Sequence, residues 1–179
     1  MQDQELMFGW RSDVDTSRYL AGAAPASLEQ QLKWFEGVRA NTAYSYHIVE
    51  LDEQPVGFTS MFNADPARRD AEWGLVIGTQ RTPGDVRVIA PLCLFCVFQF
   101  AELEMVYVSV NEDNGGAIRR VQQMSAVPSE GPGAYRKDGE VLMSISAGRF
   151  NDTLLTLIEG NPALADILDA EMHIVEPVA

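Results

Sequence analysis

The 179-residue chain is poor in cations: 13 Lys plus Arg stand against 26 Asp plus Glu, a formal net charge of −13. Unaided binding to nucleic acid or to an anionic membrane draws its affinity from clustered Lys and Arg, so neither is an expected partner. Cysteine is scarce as well. Two residues cannot build a disulfide framework, and the opening Met1-Gln2-Asp3-Gln4-Glu5 lacks the cationic start and apolar stretch of a signal peptide, so the expected compartment is the cytoplasm. The longest apolar run, Val88 to Phe98, falls short of the ~20 residues that a membrane span needs. The two histidines, His47 and His173, do not form an i, i+4 pair, which argues against a zinc site. There is no fixed-period repeat and no low-complexity tract. Gly-x-Ser-x-Gly, Gly-x-x-x-x-Gly-Lys and Gly-x-Gly-x-x-Gly are also missing, which leaves hydrolase, phosphate-loop and dinucleotide readings unsupported.

What remains is a globular chain, 46% hydrophobic and 22% charged, of a length that suits one main domain. Leu6, Met7 and Trp10 recur at helical spacing and predict a helix over Gln2–Trp10. Ser27-Leu28-Glu29-Gln30 is a capping box, and Leu28, Leu32 and Phe35 form the stripe of a second helix ending near Asn41. Tyr44–Leu51, the turn Asp52-Glu53-Gln54 and Pro55–Phe62 predict a hairpin. Asp65–Asp70 reads as a charged loop and Ala71–Gly78 as a third strand. The loop Thr79–Asp85 then leads into a long apolar helix, about Val86–Leu103, followed by a strand over Met105–Val110. Such a strand–loop–helix–strand unit is a crossover between parallel strands. A helix over Asn114–Ser125, a turn-rich Gly131–Gly139, a last strand over Glu140–Ser146 and two short amphipathic stretches within Asn151–Glu171 complete the chain.

The loop after Gly78 is the first candidate for function. Backbone amides at a helix start have no partners inside the helix and carry a partial positive charge, so an acidic chain can bind a phosphate there without a basic surface. Gly84 lets the main chain approach closely, Pro83 removes one amide, and Arg81 and Arg87 bracket the turn. An ordinary turn made by Pro and Gly is the alternative. Cys93-Leu94-Phe95-Cys96 has redox spacing, but it falls mid-helix, away from the amino terminus that would lower a thiol pKa. It reads as two buried small hydrophobes. His47, on a strand with no Asp or Cys pattern around it, reads as structural.

The order of elements, together with Trp10-Arg11, Ala71-Glu72-Trp73-Gly74, Arg81-Thr82-Pro83-Gly84 and Asn114-Gly115-Gly116-Ala117, resembles the GCN5-related N-acetyltransferases. The resemblance is to the branch of ribosomal-protein and amino-sugar acetyltransferases, and it covers about residues 2–150. It implies an α/β fold with a mixed, mostly antiparallel sheet flanked by helices, a 1–150 acyltransferase domain and a 151–179 acidic helical tail packed on it. It also implies acetyl-CoA as acyl donor and no metal. Arg81, Thr82, Pro83, Gly84, Asp85 and Val86 would form the pyrophosphate loop. Leu75, Val76 and Ile77 would lie on a splayed strand whose backbone pairs with the pantetheine arm, and Asn114 would sit beside the donor. Glu72 would be the catalytic base next to the thioester, its structural alternative being an ion pair with Arg68 or Arg69. Trp10 and Arg11 would line the acceptor site, Arg11 meeting a phosphate or carboxylate, with a core Trp and a solvent Arg as the plain alternative.

Four departures accompany the match. Val86 stands where the loop pattern has Gly or Ala, and Asp85 adds a like charge beside it. Val121 replaces the Tyr that protonates the leaving thiolate in many members. Ser125-Ala126 replaces a Gly-Phe pair, and no strand precedes the Trp-Arg helix. Met172–Val175 has the β character to replace that strand from the tail, and a partner copy in a homodimer could equally supply it. The resemblance implies transfer of an acetyl or similar acyl group from CoA to a primary amine of a small molecule, such as an amino sugar carried on a nucleotide. The rival reading is a degenerate member that serves as a binding or assembly module.

Overall fold

The computed structural model describes residues 2–51, 53–78, 83–132, 135, 137–160 and 164, with the backbone alone at 83–85. Three helices come first: α1 (Gln2–Ser12), α2 (Val14–Ser17) and α3 (Leu28–Arg39). The capping box at α3 forms as its sequence dictates, with Ser27 accepting from the Gln30 amide at 3.2 Å. Gln30 reaches one residue further back than the Ser27 amide and accepts from the Ala26 amide at 2.6 Å. The apolar stripe of α3 is only half-buried. Its fully buried residue is Gln31, whose side chain donates to Gln4 at 2.9 Å and accepts from Arg11 at 2.7 Å. A buried amide satisfied at both ends ties α3 to α1 where apolar packing alone is thin.

Among the described residues, six strands build one mixed sheet in the order β1-β2-β3-β4-β6-β5. The strands β1 (Ser45–Leu51), β2 (Gln54–Asp65) and β3 (Asp70–Ile77) run antiparallel, as the alternating patterns predict. The crossover helix α4 (Pro83–Phe100) leads to β4 (Met105–Asn111), which pairs parallel to β3 through Asp70↔Met105, Ala71↔Val106 and Glu72↔Tyr107 only. α4 begins three residues before the predicted start at Val86: proline is pre-organised for a first helical turn, so Pro83-Gly84 opens the helix rather than ending a loop. Beyond β4 come α5 (Gly115–Gln123), the two-residue β5 (Val127–Pro128), β6 (Glu140–Ser146) and α6 (Ala147–Glu159). β6 pairs antiparallel with β4 along all of Met105–Asn111. α6 starts before the expected Asn151, capped by Ser146, and so runs across residue 150. Leu164 is buried in the core, while Met172–Val175 and His173 lie outside the described residues.

The sheet divides two apolar clusters. On one face Ala71, Trp73, Val106, Val108 and Ile145 pack against Ala90 and Leu94 of α4 and Phe150 and Leu154 of α6. On the other, Phe58 and Val76 pack against Met7, with Trp10, Trp34 and Tyr46 around them. Cys93 is buried and Cys96 half-buried, and burial raises both thiols, as expected of inert core residues. His47 is half-buried on β1, and desolvation lowers its pKa.

Phe150 is fully buried and stacks at 5.6 Å from Phe98, joining α6 to α4. Phe150→Ala should destabilise the fold by about 3 to 5 kcal/mol, read as a lower denaturant midpoint at unchanged slope. A titration separates His47 from the carboxylates. Its folded pKa lies below the unfolded value, so the unfolded chain binds more protons as pH falls below about 6.5, and stability drops through that window until the folded pKa is passed. Asp13 and Asp65, held low by hydrogen bonds, contribute stability that is lost only below about pH 4. His47→Gln should flatten the upper part of the profile and leave the lower part intact in melting curves recorded against pH.

Candidate active site

Side chains alternate along a strand, so β3 presents Ala71, Trp73, Leu75 and Ile77 to the large core and Asp70, Glu72, Gly74 and Val76 to the opposite face. Past Glu72↔Tyr107 the parallel pairing stops. Trp73–Ile77 stays bonded to β2, while Val108–Asn111 stays bonded to β6. The two strands therefore separate, leaving backbone donors and acceptors along β3 that the sheet does not use on that side. Leu75, Val76 and Ile77 lie on this separated stretch. At its end a Cβ on Gly78 would come within 2.8 Å of Trp10 Nε1. Trp10, which also packs on Phe58 at 6.2 Å, thus roofs the point where β3 enters the loop.

Arg81 and Thr82 lie outside the described residues; Pro83, Gly84 and Asp85 form the first turn of α4. Val86 lies in this helix, as its expected start at about that residue implies, and it is Pro83, Gly84 and Asp85 that move from the loop into the helix. Asn114 is the N-cap of α5 and accepts from the Ala117 amide at 3.1 Å, so its carboxamide oxygen serves to start that helix. Val121, the position of the absent Tyr, is buried in the large core.

The closed end of the gap is pinned by polar contacts. Arg69, at φ 53°, accepts through its carbonyl from the amides of Glu104 and Met105, fixing the start of β4 to the start of β3. Asp70, 4% exposed, is held by Arg68 at 3.0 and 3.1 Å. The Tyr135 hydroxyl lies 3.1 Å from both the Asp70 carboxylate and the Asn63 carbonyl, and its ring stacks 4.9 Å from Tyr107. Burial raises the pKa of Tyr46, Tyr107 and Tyr135, so all three phenols are protonated donors at neutral pH.

Glu72 is 4% exposed and its partner is Lys137, whose ammonium donates to Oε1 at 2.5 Å. Neither Arg68 nor Arg69 pairs with it: Arg68 binds Asp65 and Asp70, and Arg69 binds Glu104, so the predicted arginine alternative is replaced by a lysine. Lys137 Nζ also lies 3.9 Å from Glu140, whose buried Oε2 has no hydrogen-bond partner among the described residues. A cavity of about 300 Å³ opens here, lined by Ser129, Lys137, Asp138, Glu140 and Leu142. Arg11 stacks 4.3 Å over Trp34 and donates to Gln31, which replaces the plain alternative of a solvent arginine. Desolvation lowers its pKa. Lys137, Tyr107 and Tyr135 escaped the sequence reading. The alternation of β4 could have placed Tyr107 on the face of Glu72, but nothing local signals the Glu72–Lys137 pair across 65 residues. Among the described residues no cluster of ligating side chains could hold a metal, and no helix is long and apolar enough to cross a membrane.

The family model for the acetyltransferase (GNAT) domain matches residues 1–124. No protein of curated function matches the sequence. Solved structures with the same fold include a spermidine N-acetyltransferase from Vibrio cholerae in complex with CoA and spermine, at 15% identity and a TM-score of 0.71 over 84% of this chain and 93% of that one. The Campylobacter jejuni N-acetyltransferase PseH in complex with acetyl coenzyme A is similar at 18% identity and a TM-score of 0.62, over 82% and 91%. An acetyltransferase from T. thermophilus is similar at 18% identity and a TM-score of 0.69, over 90% of both chains. With most of its length under the family model and its sheet parted as the sequence resemblance requires, the chain belongs to the GNAT family, and its enzyme class is that of the acetyl-CoA-dependent N-acetyltransferases.

Proposed function

We propose that the protein transfers an acetyl group from acetyl-CoA to a primary amine of a small molecule, with the donor lying between β3 and β4 and the acceptor approaching Glu72 from the opposite face. The observation that carries this reading is the parting of the two strands immediately after Glu72↔Tyr107, which leaves backbone groups of Trp73–Ile77 available to an extended pantetheine arm. Arg81 to Val86 would meet the pyrophosphate, with Leu75, Val76 and Ile77 along the arm and Trp10 over its entry.

The amine must lose a proton to attack, and the tetrahedral centre must then expel a thiolate. Glu72 would take the proton, directly or through one water. Buried Val121 cannot return one to the thiolate. Tyr107, the protonated phenol opposite Glu72 on the neighbouring strand, is the group that best supports this second role. With a free thiol pKa near ~8.5, departure without an acid is slower but feasible.

The finer expectation for the acceptor, an amino sugar carried on a nucleotide, needs a cation for the phosphates, and Arg11 is committed to Trp34 and Gln31. Asp138 and Glu140, which line the cavity, and Glu72, paired to the Lys137 that lines it, favour a second reading, an acceptor with more than one ammonium group. Binding of acetyl-CoA in calorimetry, followed by thiol release with a panel of polyamines and amino sugars, separates the two. Glu72→Gln should lower kcat by on the order of 100-fold, and Tyr107→Phe should lower kcat with little change in KM. Val86→Gly should tighten CoA binding if the branched side chain crowds the phosphates. Failure of acetyl-CoA to bind at millimolar concentration would overturn the transferase reading and leave the binding module.

A further inference from the structure

Only two lysines occur in the chain, Lys33 and Lys137. Lys33 is exposed on α3. Lys137 is held quite differently. Tyr135, 1% exposed, is fixed through its hydroxyl to Asp70 and Asn63, and its carbonyl accepts from the Ser109 hydroxyl at 2.9 Å. Two residues later, this anchored segment lays the Lys137 ammonium on Glu72 at 2.5 Å, with Glu140 at 3.9 Å behind it. Glu72 is the last residue of β3 paired to β4 before the strands part. A primary amine of the protein itself therefore occupies the place where, on the proposed reading, an acceptor amine would meet its base. The side chain remains 40% exposed, so a ligand can reach it from solvent.

We propose that Lys137 is an acetylation site of the enzyme itself, modified in cis by acetyl-CoA with Glu72 as the base. The inference rests on the transferase reading above. In the step, one proton passes from the ammonium to Glu72 and on to solvent. Nζ then forms a bond to the thioester carbonyl carbon, the carbon–sulfur bond breaks, and the departing sulfur takes up the second proton. The products are Nε-acetyl-lysine and free CoA thiol, with no oxidant or metal required. Positioning supplies the specificity: Lys137 has a carboxylate partner and a fixed anchor, whereas Lys33 has only solvent exposure to recommend it.

The test is to incubate the whole protein with acetyl-CoA and no added amine, and to follow each lysine by peptide mass spectrometry. A single acetyl group should accumulate on Lys137 while Lys33 stays unmodified, and the rate constant should not change when the protein is diluted. Glu72→Gln should slow the modification by on the order of 100-fold. Lys137→Arg, which keeps the ion pair but cannot present a neutral amine, should abolish it. Labelling of Lys33 and Lys137 at equal rates, or a rate that scales with protein concentration, would overturn the proposal. So would an unmodified Lys137 in a protein that binds acetyl-CoA and acetylates added amines, and that result would leave the transferase reading standing. A protein that does not bind acetyl-CoA would remove both.

Discussion

Three parallel rungs between β3 and β4 are the constraint on which this molecule depends. Were the ladder longer, the sheet would close and no main-chain groups would remain for a ligand. Were it absent, the β1-β2-β3 unit and the β4-β6-β5 unit would no longer form one sheet. The rungs are fixed by local chemistry at the closed end, where the Arg69 carbonyl accepts from Glu104 and Met105 and the buried Asp70 collects Arg68 and Tyr135. The exposed Arg69–Glu104 ion pair adds little to this. Beneath the sheet, Trp73, Val106 and Val108 share one apolar cluster with α4 and α6, so the halves diverge above a common core.

That geometry offers an extended ligand main-chain groups rather than a basic surface. Charge complementarity would demand a basic patch, and the net charge of −13 argues against one. Unpaired main-chain groups can hold a ligand without such a patch. Beside the cavity, which Asp138 helps to line, Glu72 and Glu140 face one lysine, Lys137.

Much of the fold was legible in the sequence. The β1–β2 hairpin, the crossover through α4 and the α3 cap follow from alternation, apolar length and a four-residue box, all of which are local signals. Boundaries shifted where one residue has two uses, as at Pro83, which reads as a turn and begins a helix. The site was legible only in its strand. Glu72 and Leu75–Ile77 came from a contiguous motif, whereas the partner of Glu72, the anchor Tyr135 and the engagement of Arg11 with Trp34 all join distant segments. Gln31 shows the same limit in the core: a polar residue on an apolar stripe gives no hint that it will be wholly buried until Gln4 and Arg11 are seen to satisfy it.

Amide hydrogen exchange of the protein with and without acetyl-CoA tests the central claim most directly, since it reports which main-chain donors the ligand covers. Protection is expected along Trp73–Ile77 on β3, with Met105–Asn111 of β4 and its partner Glu140–Ser146 of β6 little changed. Protection confined to other segments, with β3 exchanging as in the free protein, would contradict the account.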